Sequence, residues 1–274
     1  MIDEIPKYPS VPEALRDAAS LKLLVPFVGA GVSRIGGYPD WAGLAEGTIA
    51  YFIKQQKFDH GQLNQIADLP PRLKLSLAAD LELEHRLKID FRKILTPDQN
   101  KKEARRQIYD HVHRLWMFSD LFLTTNYDEE LDSLAPPTLM SESDSTHDRS
   151  TITPNVIDAA QDITVNLLDH KRTVVHIHGS VRARDSMVLT TLDYLERYQG
   201  NRHEEGNYIE NKFLTFLDQL FHTRNVLFIG YGLDELEILE YVIQKGLKKR
   251  RLEKGGARHF VLQGFFSHQL NLAR

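Results

Sequence analysis

Cysteine is absent from all 274 residues, which excludes disulfides, thiolate nucleophiles and every cysteine-ligated zinc site. Long apolar runs are missing too. The longest, Leu23 to Val28 and Val226 to Ile229, fall far short of the roughly 20 residues that a membrane helix needs, so no membrane span is expected. The opening residues, Met1 to Tyr8, mix acidic and basic side chains and lack the apolar stretch of a secretory signal. Cytoplasmic residence is therefore the default expectation. Nor is there an excess of positive charge. The 34 Lys and Arg against 38 Asp and Glu give a formal charge of −4, which argues against direct nucleic-acid binding by the chain as a whole. The one dense basic run, Lys248-Lys249-Arg250-Arg251, closes a helical pattern, where cations suit the helix dipole.

What is present reads as an ordinary folded domain, 42% hydrophobic and 26% charged, long enough to bury a large core. Six short apolar runs read as strands: Leu23 to Val28, Leu121 to Thr125, Thr173 to Ile177, Met187 to Leu189, Asn225 to Ile229 and His259 to Leu262. They are continuous rather than alternating and are separated by helical patterns, which predicts an α/β fold with a parallel sheet covered on both faces. About ninety residues separate the first two runs, against the roughly 10 to 12 that a minimal crossover requires. A helical insertion over about 42–118 is expected there. Trp41 to Gln56 and Leu73 to Ile94 show helical spacing, broken by Pro70 and Pro71. A further helix from about Glu103 to Phe118 places Ile108, Val112, Leu115 and Trp116 on one core-facing stripe. A polar loop is expected over about 136–155, because Ser141 to Ser150 carries no periodicity.

Four motifs fall at the ends of strand candidates. Gly29-Ala30-Gly31-Val32-Ser33 follows the first, where glycines allow backbone N–H groups to approach a pyrophosphate. Arg34 stands at the third glycine position of the dehydrogenase fingerprint G-x-G-x-x-G, and no acidic residue closes a second strand about 20 residues on, so hydride transfer is disfavoured. Thr124-Thr125-Asn126-Tyr127-Asp128 follows the second; Asn126 offers a donor and an acceptor without ionising, and a plain turn or helix cap is the competing reading. In His176-Ile177-His178-Gly179-Ser180 the alternation of a strand puts both histidines on one face, with His178 at the carboxyl edge. His178 is then the candidate base near neutral pH, and His176 a hydrogen-bonded core histidine. Phe228-Ile229-Gly230-Tyr231-Gly232-Leu233-Asp234 closes the set, with glycines that permit close approach and Asp234 as a helix cap. In an open α/β sheet the ligand crevice lies beyond the carboxyl ends of the strands, so the four motifs together point to one crevice.

These blocks resemble the sirtuin family, and more closely its bacterial SIR2-like NADase branch, found in antiphage defence. GAGVS at Gly29 to Ser33 with YPDW at Tyr38 to Trp41, TTNYD at Thr124 to Asp128, HIHG at His176 to Gly179 and FIGYGLDE at Phe228 to Glu235 agree with the family in order and spacing. The resemblance implies a Rossmann-like sheet that binds NAD as substrate, with no metal expected. It assigns Asn126 and His178 to the reaction centre and Gly29, Ala30, Gly31 and Ser33 to the phosphates. Asp128 is assigned to the nicotinamide ribose region and Gly230 to the adenosine half, and Asp40, Trp41, Tyr231 and Gly232 complete the expected NAD contacts. Protein-deacylating sirtuins usually carry a four-cysteine zinc module, which this chain cannot build. Water is therefore the expected acceptor, and the implied reaction is NAD hydrolysis that depletes NAD in abortive infection. A catalytically silent NAD- or ADP-ribose-binding assembly module is the alternative, and a protein deacylase the less favoured one. The resemblance also implies control by a homo-oligomer or a partner protein, through the helical insertion or sequence beyond Arg274.

Overall fold

In the computed structural model, residues 10–133, 153–204, 207–232 and 259–262 are described. The Met1 to Tyr8 and Ser141 to Ser150 segments, Leu233 to Glu235 and the Lys248 to Arg251 run lie outside them. After a short helix α1 (Glu13–Ser20), the first strand β1 (Leu24–Val28) runs into α2 (Ala30–Ile35). Then come α3 (Trp41–Lys54), α4 (His60–Gln65), α5 (Pro71–His85), α6 (Phe91–Ile94) and α7 (Lys102–His113) before the chain returns as β2 (Leu121–Thr124). Strands β3 (Asn155–Ile157) and β4 (Thr173–His176) follow, then α8 (Thr191–Tyr198), a hairpin of β5 (Arg202–Glu204) and β6 (Asn207–Ile209), α9 (Lys212–Thr223), β7 (Asn225–Ile229) and β8 (Phe260–Leu262).

Six of these strands form one all-parallel sheet in the order β3-β4-β2-β1-β7-β8. Alternation along each strand divides the apolar side chains between two layers. Val25, Phe27, Leu121, Leu123 and Val175 pack against α9 through Phe213, Phe216, Leu217 and Leu220. Val28, Phe122 and Val174 face the other way, against Val32 of α2 and Tyr109 and Val112 of α7. The fold is thus a Rossmann-like α/β sheet with helices on both faces, and the run-like strands are explained by burial on both sides. The predicted stripe does face this core, with Val112 buried and Ile108, Leu115 and Trp116 packed at its margin, but α7 ends at His113 rather than near Phe118, and a 3-10 turn over Arg114–Met117 carries Leu115 and Trp116.

The interval between β1 and β2 holds a second apolar core. Leu44, Ile49 and Phe52 of α3 meet Leu75, Ala78 and Leu81 of α5 and Phe91 of α6. Pro71, read as a breaker, sits at the first position of α5, where its missing N–H costs nothing. The predicted run to Ile94 is interrupted at Arg86, which adopts φ 52°.

Two expectations need correction. Met187 to Leu189 is not a strand: the segment is irregular between a 3-10 turn and α8, with Met187 and Leu189 buried in the second core. Its backbone bonds go to turns instead, Val188 N–H to the His178 carbonyl at 2.9 Å and the Val188 carbonyl from the Tyr127 hydroxyl at 2.6 Å. Second, β4 stops at His176, so His178 lies in the turn beyond it rather than on the strand face of His176.

Candidate active site at the carboxyl ends of the strands

Cross-strand pairing brings the motifs to one level. Val28 pairs with Thr124 on one side and Ile229 on the other, and Thr124 pairs with His176. His176, Thr124, Val28 and Ile229 therefore form a single row, and the four motif-bearing turns leave the sheet from it side by side. β1 is also where the order reverses, with β2 to one side and β7 to the other. This is the switch point at which open α/β sheets hold ligands.

Contact between two turns explains the glycines. Gly29 N–H donates to the Ile229 carbonyl at 2.9 Å and Gly31 N–H to the Gly230 carbonyl at 2.7 Å. A Cβ on Gly31 would stand 2.6 Å from that same oxygen, and Gly230, at φ +62°, would bring one within 2.7 Å of the Val32 nitrogen. The two glycine turns are pressed backbone to backbone. Ala30 is exposed at the start of α2 and Gly232 is exposed beyond β7. Tyr231, by contrast, places its ring in the core, 5.2 Å from Phe27 and 5.4 Å from Phe228 between centroids.

Beneath the glycine turn lies a closed polar cluster. Thr124 Oγ1 donates to the Val28 carbonyl at 2.8 Å and accepts the Asn126 N–H at 2.9 Å, which turns the chain inward after β2. Asn126 Nδ2 then donates to Ser33 Oγ at 2.8 Å and to the Gly29 carbonyl at 3.2 Å. Ser33 Oγ in turn donates to Asp128 Oδ2 at 2.6 Å; Asp128 Oδ1 accepts from the Tyr109 hydroxyl and the Glu130 N–H, both at 3.2 Å. Burial raises the Asp128 pKa, while the Ser33 hydroxyl, the Glu130 N–H, His176 and Tyr109 work in the opposite direction. One atom in this cluster is left over. Asn126 Oδ1 is buried and has no hydrogen-bond partner, an arrangement that costs about 1 to 3 kcal/mol unless a ligand supplies a donor.

His178 sits in an aromatic and cationic enclosure. Its Nε2 lies 2.8 Å from the Tyr198 hydroxyl, and its ring meets Tyr194 edge-on at 5.1 Å. The Arg72 guanidinium covers the far reach of this group, 3.7 Å above the Tyr194 ring. Arg197, packed over Phe213, donates to the Ile177 and Ser186 carbonyls. Burial, then Arg197 and Arg72, lower the His178 pKa to about 3. The imidazole is therefore neutral at physiological pH. Gly179 at φ +75° lets the chain turn immediately after it, where a Cβ would overlap the Ser186 carbonyl.

The other expected contacts lie further out. Asp40 caps α3, accepting the Gly43 N–H at 2.9 Å. Trp41 stacks on Tyr127 at 6.1 Å, with Tyr127 itself in the second core. Asn126 and Asp128 thus point into the sheet domain while the residue between them anchors the helical one. Tyr109, Tyr194, Tyr198, Arg72 and Arg197 were not anticipated. The i, i+4 spacing of Tyr194 and Tyr198 marks them as sharing a helix face, but nothing in the spacing says that the face meets His178. A cavity of about 740 Å³ lies nearby, lined by Val188, Arg197 and Phe213 among others, but no residue of the four motifs reaches it.

A family model described as a SIR2-like domain matches residues 120–272, more than half of the chain. The chain belongs to the SIR2-like domain family. It matches no curated protein. The match ties this SIR2-like domain to NAD-related chemistry in the broad sense. It includes the TTNYD, HIHG and FIGYG blocks but begins after GAGVS and YPDW. The structure joins what the match leaves apart, since Ser33 and Gly29 bond Asn126, and Gly31 packs on Gly230. Among the described residues, no helix is long and apolar enough to cross a membrane.

Proposed function

We propose that this SIR2-like domain is an NAD hydrolase that breaks the nicotinamide–ribose bond and adds water to give nicotinamide and ADP-ribose. The observation that carries the reading is the unpaired, buried Oδ1 of Asn126, on the turn beside His178 and against the glycine turn. An amide whose nitrogen is fully engaged and whose oxygen is vacant fits a ligand hydroxyl, such as that of a ribose. The residues present thus suit NAD.

In this reading Asn126 orients the ribose and the attacking water through Oδ1. The nicotinamide of NAD is already cationic and leaves as a neutral base, so the site needs no acid for the leaving group, unlike ordinary glycoside hydrolysis. The Asp128 carboxylate contributes negative potential where positive charge builds on the sugar. His178, neutral but with a pKa of only about 3, is too weak a base to keep a proton at neutral pH; it accepts a hydrogen bond from the attacking water or a ribose hydroxyl beside the Tyr198 oxygen, and the proton that hydrolysis releases passes to solvent. Glycine turns that already spend N–H groups on each other leave Ala30 and the exposed rim to meet the phosphates. The absence of cysteine favours water over acyl-lysine as acceptor.

Asn126 is only 6% exposed and His178 only 1%, so the resting site has to open before a ribose can reach it. That closure supports a gated enzyme, with a homo-oligomer or partner protein as the gate, and NAD depletion in antiphage defence as its use. Purified protein is incubated with NAD and nicotinamide is quantified. Release by the wild type, lost in Asn126→Ala and His178→Ala variants that keep their thermal transition, supports the assignment. NAD left intact by the wild type across a wide range of protein concentration would count against it.

A further inference from the structure

The pair of histidines in HIHG divides into two quite different groups. His178 is neutral, as described. His176, at the end of β4 and wholly buried, is bonded at both ring nitrogens. Nδ1 lies 2.9 Å from the main-chain carbonyl of Asn126, and Nε2 lies 2.9 Å from Oδ1 of Asp132. A carbonyl can only accept, so Nδ1 carries a proton. Asp132 Oδ2 is held at 2.7 Å by the Arg182 guanidinium, and its side chain is 5% exposed. A proton on Asp132 rather than on Nε2 would set a neutral acid against that guanidinium and waste the ion pair that Arg182 makes at 2.7 Å. Nε2 therefore carries a proton as well.

We propose that His176 is a buried imidazolium and the positioning residue of the site, tying the Asn126 main chain to the Asp132–Arg182 ion pair so that the Asn126 amide is held ready for its ligand. The charged groups that face it are Asp132, from the 130–132 turn, and Asp128, from the loop after β2. Burial alone opposes the charge, but the bond to Asp132, the Asp132 charge, the Asn126 carbonyl and Asp128 outweigh it and raise the pKa. The consequence reaches the reaction centre by one covalent step. The carbonyl that His176 holds and the amide with the vacant Oδ1 belong to the same residue, and Thr124 fixes the N–H of that residue from the other side. With its N–H, carbonyl and Nδ2 all bonded, Asn126 has one atom free to respond to a ligand. Arg182 continues the chain to the surface, where it also meets Glu129 at 3.5 Å, itself paired with Arg92.

This inference rests on the hydrolase reading only for its catalytic consequence, and the test separates the two. Asparagine at position 176 places an amide nitrogen where Nδ1 was and keeps the bond to Asn126. Glutamine instead reaches Asp132 and loses Asn126. Long-range ¹⁵N spectra of the wild type should show both nitrogens of His176 protonated at neutral pH, and Asp132→Asn should abolish that state. Amide exchange across Thr125 to Asp128 should speed modestly in His176→Asn, which loses only the tie to Asp132, and markedly in His176→Gln, which loses the bond to Asn126. A loss of positioning of this kind lowers kcat by about 100-fold, so His176→Gln should lose that much with little change in KM, while His176→Asn, which keeps the Asn126 bond but not the tie to Asp132, should lose less. A singly protonated His176, or Asn and Gln variants that exchange alike, overturns the proposal whether or not NAD is cleaved. NAD left intact beside a doubly protonated His176 and the exchange contrast leaves the positioning role standing and removes the hydrolase.

Discussion

Asn126 shows how one side chain carries both a structural and a chemical load. Its Nδ2 holds Ser33 and Gly29, while Oδ1 is buried with nothing to accept. Truncation to alanine removes two hydrogen bonds worth about 1 kcal/mol each and also removes the unpaired oxygen. The Asn126→Ala variant should therefore lose nicotinamide release while its unfolding free energy changes by less than about 2 kcal/mol, measured by denaturant titration. A much larger loss would mean that the amide is there for folding. His178 makes a second prediction. Its folded pKa is about 3, pushed down by burial and then by Arg197 and Arg72, whereas the unfolded value is about 6.5. As pH falls through about 6.5 the unfolded chain binds a proton that the folded one refuses, so stability present above that pH is lost as it drops toward 3. Thermal transitions recorded from pH 7 to 4 should fall less steeply in His178→Gln than in the wild type. His176 runs the other way: its raised pKa contributes stability that is complete below about 6.5 and fades as pH rises through the folded value.

Elements place these residues, and here the limits of reading from sequence are physical. Strands β1, β2, β4 and β7 were legible because each is a continuous apolar run buried on both faces, and their motifs were legible because parallel strands end at one level. The 187–189 run misled because burial alone makes a run apolar; whether its backbone pairs with a strand or with turns depends on what lies beside it. β3 went unseen because its three residues are partly or wholly exposed at the sheet edge. The enclosure of His178 was illegible for another reason. It is assembled from α5 and α8, more than 100 residues apart, through the Arg72–Tyr194 contact and the Ser76 hydroxyl that accepts the Thr191 N–H at 3.1 Å. Arg72→Ala should expose this link. It removes a cation–π contact worth roughly 0.5 to 2 kcal/mol and one of the two cations beside His178, so the His178 pKa, read by NMR titration, should rise. An unchanged value would remove Arg72 from the site's electrostatics. At the turns, Gly230→Ala meets both a left-handed φ and the Val32 nitrogen at 2.7 Å. It should cost about 1 to 3 kcal/mol, whereas Gly200, with nothing near its would-be Cβ, should tolerate alanine.

Across the whole molecule, the helical core is completed by residues from segments that follow the sheet strands. Tyr127, Met187 and Leu189 come from the sheet's carboxyl-end turns yet pack with Phe52, Leu75 and Phe91 of the helical layer. Damage to the helical core should therefore be felt at the site. Phe52 is wholly buried, and Phe52→Ala should cost about 3 to 5 kcal/mol, with loss of stability and of nicotinamide release at the same temperature. A separate early transition that spares activity would show that the layers are independent. The same arrangement offers a route for control, since a partner or second copy that shifts α3 or α5 would also move Tyr127, the neighbour of Asn126. The central claim is that this crevice splits NAD with water as acceptor, and products formed in ¹⁸O-water test it most directly. Equal amounts of nicotinamide and ADP-ribose, the latter carrying one ¹⁸O at the former nicotinamide-bearing carbon, are predicted for the wild type and not for Asn126→Ala. Intact NAD, or ADP-ribose product without the label, would contradict the account.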